Sequence, residues 1–165
     1  MTSEPPFALV DTKRAREQAQ LLFQAVRNSI VEILPLTADI RHVGATAVEG
    51  CLTKGDVDIV VRVSANHFSD ADAALASRFS RNSGSTRTDT FSAFEDASCH
   101  PHAGIQLTII DGPYDVFHRF VELLKNSPQL LQEYNSLKRS YEGADMAVYR
   151  AAKDAFIERA LASQH

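Results

Sequence analysis

Two carboxylates are the residues of this sequence best suited to chemistry. Asp56 and Asp58 lie two positions apart in the segment HVGATAVEGCLTKGDVDIVV, residues 42–61. Side chains two apart on a β-strand point to the same side, so both carboxylates would share one face. Like charges this close need a raised pKa or a neighbouring cation. Because Mg²⁺ prefers hard oxygen ligands, the pair predicts a magnesium site at Asp56 and Asp58.

A glycine turn at Gly44 precedes this carboxylate pair. The turn is expected to open a short helix whose free N–H groups can hold a phosphate, with the Thr46 hydroxyl as a further donor. A phosphate-holding turn followed by Asp-x-Asp on a strand is the arrangement that nucleotidyl transfer needs. The alternative is that Asp56 only begins the strand and Asp58 is a solvated side chain on an edge strand.

The elements that must position these residues form an α+β pattern. Apolar residues at helical spacing predict an amphipathic helix over residues 12–34 and a second helix capped by Asn66. Alternation predicts strands in DIRHVG, VDIVVRV and GIQLTII, and a more exposed antiparallel strand within STRTDTFSAFE. From Tyr114 onward the pattern is helical, with breaks near Pro128 and Gly143. The fold class is therefore a small mixed β-sheet flanked by helices, with a C-terminal helical segment.

Composition limits the classes of partner. A chain of 165 residues favours one compact domain over residues 1–165, and a net charge of -4 gives no global basic field for nucleic acid. No uninterrupted apolar run reaches the roughly 18 residues that a membrane-spanning helix needs. The N-terminus lacks the features of a secretion signal, so we expect a cytoplasmic protein with reduced thiols at Cys51 and Cys99.

A third cluster of reactive side chains is the segment CHPH, residues 99–102. It brings one thiol and two imidazoles together, which can ligate Zn²⁺. No fourth ligand stands at a suitable spacing, and solvated loop side chains are the alternative.

The segment from His42 to Val61 resembles the signature of the GrpB-like family, which belongs to the nucleotidyltransferase superfamily. The matching positions are His42, Val43, Gly44, Thr46, Ala47, Val48, Gly50, Lys54, Asp58 and Ile59. The ending EYNSLKRSYEGADMAVYRAAKDAFIERAL is similar to the family's C-terminal pattern. It matches at Tyr134, Leu137, Lys138, Arg139, Asp145, Tyr149, Lys153, Phe156, Ile157 and Glu158.

The resemblance implies a nucleotidyltransferase fold that binds a nucleoside triphosphate and Mg²⁺, with Asp56 and Asp58 as metal ligands and catalytic residues. Its acceptor would be an unidentified hydroxyl or amine. The residues implied in nucleotide or phosphate binding are His42, Gly44, Ala45, Thr46, Lys54, Lys138, Tyr149 and Lys153. The rival hypothesis is an interaction or nucleotide-binding module that keeps this fold without catalysis, so the sequence leaves open whether the protein is an enzyme.

Two of these assignments have structural alternatives. Tyr149 and Lys153 lie one helical turn apart and can both reach a bound phosphate or base. They can also lie at the rim of a buried stripe made of Val148, Ala152, Ala155 and Phe156. His42, just before the glycine turn, can orient the turn or contact the ligand, or it can be a core histidine bonded to the backbone.

The sequence also departs from the family pattern. Ala45 stands where the family has the serine that helps to hold phosphates, Glu49 replaces a proline, and Val121 replaces an arginine. Superfamily enzymes usually add a third carboxylate on a neighbouring strand as general base. The strand GIQLTII offers only Gln106 or Thr108 at the inward position, whereas Glu95 and Asp111 flank it. A carboxylate within reach of Asp56 and Asp58 would favour catalysis, and its absence would favour the binding module.

Overall fold

A mixed β-sheet forms the centre of the fold. The structure is a computed structural model that describes residues 4–96 and 98–163. Within these residues five strands pair in the order β1-β2-β5-β4-β3, with β2 and β5 parallel and the other neighbours antiparallel. The strands are β1 (Asp39–Val43), β2 (Val57–Val63), β3 (Ser80–Arg81), β4 (Phe91–Asp96) and β5 (Ala103–Ile109).

Helices cover both faces of this sheet. The α-helices are α1 (Thr12–Ile30), α2 (Phe68–Ala76), α3 (Phe117–Asn126), α4 (Pro128–Tyr141) and α5 (Met146–Ala162). Short 3-10 helices follow α1, β1 and β2 at Val31–Ile33, Ala45–Ala47 and Ala65–His67. The predicted α+β class, the mixed sheet and the helical C-terminal segment are therefore confirmed.

The alternation along β2 divides the core into two layers. Val57, Ile59, Val61 and Val63 are buried against α1 and α2. Asp58, Val60 and Arg62 face the other layer, where Val60 packs with side chains of α3, α4 and α5. Because β2 lies between β1 and β5, Asp58 belongs to an interior strand, and the edge-strand alternative is wrong. Its register pairs it with Val43 and with Gly104.

Two local predictions are wrong. The strand expected to be more exposed is β4, and its residues 91–94 are buried because it lies between β3 and β5 rather than at an edge. Asn66 does not cap α2, since a 3-10 turn precedes the helix and the Asn66 Oδ1 accepts a hydrogen bond from Ser64 instead (2.7 Å). Tertiary pairing and a local side-chain bond thus overrode the sequence pattern.

An extended N-terminal segment, residues 4–11, lies against the α4–α5 connection. The Phe7 N–H donates to Ala144 O (2.9 Å), and the Gly143 N–H donates to Phe7 O (2.7 Å). The Phe7 ring is buried and stacks on Tyr149 with ring centroids 3.8 Å apart. Among the described residues, no helix has the length and apolar character to cross a membrane.

Candidate functional site

The Asp58 carboxylate lies between two glycines that leave no room for another side chain. A Cβ built on Gly44, which has φ +76°, would stand 2.5 Å from Asp58 Oδ2. A Cβ on Gly104 would stand 3.3 Å from Asp58 Oδ1. The turn after β1 and the start of β5 therefore both use glycine where the chain approaches this carboxylate.

The Asp58 carboxylate has few groups that compensate for its burial. Its carboxylate accepts no hydrogen bond from the part of the chain that the structure describes. Burial raises the pKa of Asp58, and the nearby Asp56 charge raises it further, whereas Lys153, Lys54 and His102 oppose this rise. A carboxylate without a donor in such a place carries a desolvation penalty that a bound cation would remove.

Asp56 precedes β2 and pairs with a lysine from the same loop. Lys54 Nζ lies 2.6 Å from Asp56 Oδ2, and both side chains are partly exposed. The two aspartates therefore differ in environment, because one already has an ammonium partner and the other has none. The Lys54 side chain is long enough to leave Asp56 without any movement of the backbone.

The turn after β1 offers backbone donors. The chain turns at Gly44 into the 3-10 helix Ala45–Ala47, whose N–H bonds begin with Ala47 to Gly44 O (3.1 Å). Among the described residues, no acceptor receives the N–H groups of Ala45 and Thr46. The turn therefore offers two backbone donors, although Ala45 supplies no side-chain hydroxyl.

The Thr46 hydroxyl is engaged inside the protein. It is buried, donates to Asp56 O (3.0 Å) and lies 2.9 Å from His42 Nε2. Because its proton goes to the Asp56 carbonyl, the hydroxyl accepts from the protonated Nε2 of His42. These two hydrogen bonds link His42, at the end of β1, through Thr46 to the backbone of Asp56.

His42 is a neutral imidazole. Burial lowers the pKa of His42 to about 4, and the charges of Arg16 and Lys125 contribute to the shift. Its ring stacks on Phe23 with centroids 5.3 Å apart, and its Nδ1 lies 3.3 Å from the side-chain amide of Gln20. The contacts place His42 beside the turn, where its ring orients the Thr46 hydroxyl.

Helix α4 holds the loop between the turn and the aspartates. Lys138 Nζ is buried, donates to Leu52 O (2.6 Å) and lies 4.5 Å from the centre of the Tyr134 ring. Asn135, one turn earlier, accepts from the Leu52 N–H (2.8 Å) and donates to Gly50 O (2.9 Å). Burial lowers the pKa of Lys138 to about 8. These two side chains fix the loop that carries Lys54.

Tyr149 and Lys153 occupy different environments on α5. Tyr149 is buried under Phe7, so the alternative that places it at the rim of the stripe is wrong, and Val148 is 54% exposed. Lys153 is partly buried, with Nζ 5.9 Å from the centre of the Tyr149 ring, and its charge acts on Asp58. The ammonium of Lys153 therefore lies on the Asp58 side of α5.

The neighbouring strand supplies no carboxylate directly beside Asp58. The residue opposite Asp58 on β5 is Gly104, and the residue opposite Gly104 on β4 is Glu95. Gln106 lies two residues further along the same face of β5, and Thr108 is fully buried beyond it. Asp111 follows the far end of β5, where its N–H donates to Asp115 Oδ2 (2.8 Å).

A divalent cation fits two of these groups. Among residues 4–96 and 98–163, no cluster of three or more His, Cys, Asp or Glu side chains can hold a metal, including the CHPH segment. Mg²⁺ is commonly bound through one or two carboxylates, with the remaining ligands from substrate phosphates and water. The unpartnered carboxylate of Asp58, with Asp56 on the same side of the chain, matches that binding mode.

A cleft opens beside Asp56. It has a volume of about 430 Å³, and its walls include Asp56, Lys54, Arg14 and His102. The N-terminal turn of α1 forms one wall, and the loop before β5 forms the other. A small molecule in the cleft would therefore lie next to Asp56.

Comparison with known proteins identifies the family. The sequence profile described as "GrpB protein" matches residues 10–163. The chain belongs to the GrpB family. A UPF0157 protein of Vibrio cholerae is 33% identical over 141 residues, which cover 85% of this chain and 74% of the relative. The resemblance seen at His42–Val61 and in the C-terminal helices is thereby confirmed.

Solved structures show what fold this GrpB-family chain shares. GrpB from Enterococcus faecalis superposes with a TM-score of 0.65 at 17% identity, covering 86% of this chain and 89% of that protein. The Cid1 poly(U) polymerase bound to MgGTP superposes with a TM-score of 0.52 at 12% identity, covering 74% of this chain. This GrpB-family chain spans 39% of Cid1. The nucleotidyltransferase-like fold is thus confirmed.

The sequence pattern did not single out all the residues that shape this GrpB-family site. His102 was visible only as part of a weak zinc motif, and Glu95 only as one of two flanking acids. Asn135 could have been predicted as a neighbour of Lys138, because it stands three positions earlier and so shares its helix face. The contact of Phe7 with Tyr149 could not have been predicted from local sequence, since the two residues are far apart along the chain.

Proposed function

We propose that this GrpB-family protein binds a magnesium complex of a nucleoside triphosphate and transfers the nucleotidyl group to an acceptor. The observation that carries the proposal is the Asp58 carboxylate, which is partly buried, lacks a hydrogen-bond donor and is confined by Gly44 and Gly104. Such a group is destabilising in the free protein and useful only when a cation meets it. The fold shared with Cid1, whose structure contains MgGTP, supports a nucleotide as the ligand.

In this proposal Asp56 and Asp58 hold Mg²⁺. When bound, the ion neutralises phosphate oxygens and stabilises the charge that develops on the leaving group. The carboxylates would supply two of its ligands, in keeping with the absence of a larger ligand cluster among the described residues. Loss of either aspartate should therefore abolish metal-dependent nucleotide binding.

The remaining site residues divide into contact and positioning roles. The free N–H groups of Ala45 and Thr46 beside Gly44 are suited to phosphate oxygens. Lys54 neutralises Asp56 in the free protein and can turn to the phosphates when a cation takes its place. Lys153, whose charge acts on Asp58, is suited to a phosphate oxygen, whereas the Tyr149 ring is buried under Phe7 and supports α5.

Three residues are assigned to positioning because their polar atoms already have partners. The Thr46 hydroxyl and His42 link the turn to the Asp56 carbonyl. Lys138 is bonded to Leu52 O and so fixes the preceding loop. Their contribution is to hold the turn and the aspartates in one arrangement, which removes the need for rearrangement on binding.

A second function has its own support. The residue of β5 opposite Asp58 is a glycine, so the structure lacks a carboxylate at the place adjacent to the pair. A GrpB-family protein that binds nucleotide without transferring it would have this composition. The two functions share the binding step and differ only in release of pyrophosphate.

Thermal unfolding in the presence of nucleotides tests the binding step. ATP, GTP, CTP and UTP are added with and without Mg²⁺ to the wild type and to Asp58→Asn. A nucleotide at 100 times its Kd should stabilise the wild type by about 2.7 kcal/mol, only with Mg²⁺. The Asp58→Asn variant should show no shift, because the amide oxygen is a weaker ligand and the charge is lost.

The control is Asp89→Asn, which removes an exposed carboxylate and should keep the full shift. The ligand-free Asp58→Asn protein should have a higher Tm than the wild type, because it no longer buries an uncompensated charge, and this shows that it is folded. Stabilisation of Asp58→Asn by the nucleotide equal to that of the wild type would contradict the assigned site. Lack of any shift in the wild type would contradict nucleotide binding itself.

A further inference from the structure

His102 is fixed directly beside the two aspartates. It immediately precedes β5, and its carbonyl accepts a hydrogen bond from the Val57 N–H (2.9 Å). Val57 is the residue between Asp56 and Asp58, so this bond places the His102 backbone level with the pair. The imidazole also lines the cleft next to Asp56.

The side chain of His102 has a carboxylate partner. His102 Nε2 lies 3.2 Å from Glu95 Oε2. Glu95 is on the face of the sheet that Asp58 occupies, because both residues pair with Gly104. Gly104 lies between Asp58 and Glu95 in the register of the sheet, and its lack of a side chain lets Asp58 Oδ1 lie close to the β5 backbone.

The hydrogen bond sets the tautomer of the imidazole. An ionised carboxylate only accepts, so Nε2 carries the hydrogen that it shares with Glu95. In the neutral form of the ring, which is the form that can act as a base, the other nitrogen, Nδ1, then has a free lone pair. It accepts no hydrogen bond from the described residues, and the ring is 40% exposed, so a molecule in the cleft can reach it.

We propose that His102 is the general base of the transfer reaction and that Glu95 is its positioning residue. The assignment rests on the proposed function and takes a compound with a hydroxyl group as the acceptor. The hydroxyl oxygen forms a bond to the α-phosphorus while the bond from that phosphorus to the bridging oxygen breaks. Pyrophosphate leaves with the electron pair, and the hydroxyl proton passes to His102 Nδ1.

This arrangement explains the glycine on β5. A Cβ at position 104 would stand 3.3 Å from Asp58 Oδ1 and 3.4 Å from Gln106 Nε2, so a longer side chain there would crowd the Asp58 carboxylate. An imidazole held from the next strand by Glu95 supplies a base without placing a third negative charge against the pair. His102 and Glu95 together would thus supply the general base that a carboxylate at position 104 would otherwise provide.

Pyrophosphate release measures this step. The wild type, His102→Ala and Glu95→Gln are given the nucleotide that shifts the Tm, Mg²⁺ and an acceptor set of glycerol, free nucleosides and a short oligoribonucleotide. The His102→Ala variant should lose at least about 100-fold in kcat and keep the nucleotide-dependent thermal shift, because only the base is removed. Added imidazole should restore part of its rate, since the cleft is open. The Glu95→Gln variant should lose roughly 10-fold in kcat at unchanged KM for the nucleotide.

The matched control is His100→Ala, which removes an exposed imidazole from the same loop and should leave kcat unchanged. Full activity of His102→Ala, or a loss that imidazole does not restore, would overturn the base assignment while leaving the proposed transfer intact. A wild type that binds magnesium nucleotide but releases no pyrophosphate with any acceptor would overturn both transfer and base and leave a binding module. Absence of nucleotide binding would overturn the proposed function as a whole.

Discussion

At the scale of single residues, the site combines groups that the fold holds in unfavourable states. Burial raises the pKa of Asp58 and so opposes its ionisation, and burial lowers the pKa of the Lys138 ammonium to about 8. His42 is kept neutral by the same physical cause. Groups of this kind reduce the stability of a protein, and their concentration around one turn favours a functional role over a structural one.

The stability of the protein should fall on acidification partly through His42. Its pKa is about 4 in the folded protein and 6.5 in the unfolded chain. Between these values the unfolded chain binds a proton that the folded protein does not, so stability present above pH 6.5 is lost as the pH falls toward 4. Because the ring is partly solvated, we expect about 1–2 kcal/mol from this group.

Urea unfolding at pH 7 and pH 4.5 isolates this contribution. The wild type should lose more stability between these pH values than His42→Gln, whose amide can still bond Thr46 without titrating. The control His100→Gln should behave as the wild type. Equal losses of unfolding free energy in the wild type and in His42→Gln would contradict the lowered pKa, because they would mean that His42 binds a proton as readily in the folded protein as in the unfolded chain.

At the scale of elements, the unit formed by β1, the Gly44 turn and β2 determines the site. Gly44 must be glycine for two separate reasons, a positive φ and the nearness of Asp58. Gly143, between α4 and α5, has a similar φ of +87° with no atom near its Cβ position. The two glycines share a positive φ, but Gly44 also has ψ −174°, a combination that is essentially restricted to glycine.

Alanine substitutions at both glycines separate these reasons. Gly143→Ala should cost about 1–2 kcal/mol, the penalty for a left-handed backbone. Gly44→Ala should cost at least about 3 kcal/mol, because its methyl group meets Asp58 Oδ2 as well. In an Asp58→Ala background the part of the Gly44 cost that comes from the Asp58 contact should disappear, as a double-mutant cycle by urea unfolding would show, whereas the cost of the backbone conformation should remain. Equal costs for the two single variants would contradict the close approach.

The same unit shows what local sequence can predict. The strands β1 and β2, the turn at Gly44 and the shared face of Asp58 and Arg62 followed from alternation and from a glycine, both of which act over a few residues. The burial of β4 did not follow, because it depends on pairing with β5 and β3. The partner of Lys138 did not follow either, since Leu52 is separated from it by 86 positions. Residue types at the candidate site could be read from the sequence, whereas the contacts that assign their roles could not.

At the scale of the whole molecule, the sheet separates two layers with different tasks. One layer, under α1 and α2, is built of aliphatic and aromatic side chains. The other contains Asp58 at one end and, at the other end, Arg62 bonded to Asp115 and Asp39. The C-terminal helices that cover this second layer are tied down by the N-terminal segment through Phe7 and Tyr149.

Removal of the Phe7 ring should therefore destabilise the protein strongly. Phe7 is 1% exposed, so Phe7→Ala should lower the free energy of unfolding by about 3–5 kcal/mol. Leu36→Ala removes a side chain that is fully exposed and should change it by less than about 0.5 kcal/mol. Denaturant titration of both variants gives the comparison, and a small effect at Phe7 would mean that the segment is dispensable for stability.

The N-terminal segment has a consequence for the order in which the molecule forms. The Leu9 N–H donates to Glu142 Oε2 across 133 positions of sequence, and the Phe7 bonds to Gly143 and Ala144 span a similar interval. During synthesis these contacts cannot form until α4 and the start of α5 have left the ribosome. Contacts between residues so far apart in sequence also form slowly, because closing the loop between them costs conformational entropy. The candidate site is thus completed late, and a nascent chain that already has its aspartates and glycine turn still lacks the C-terminal helices that pack against them.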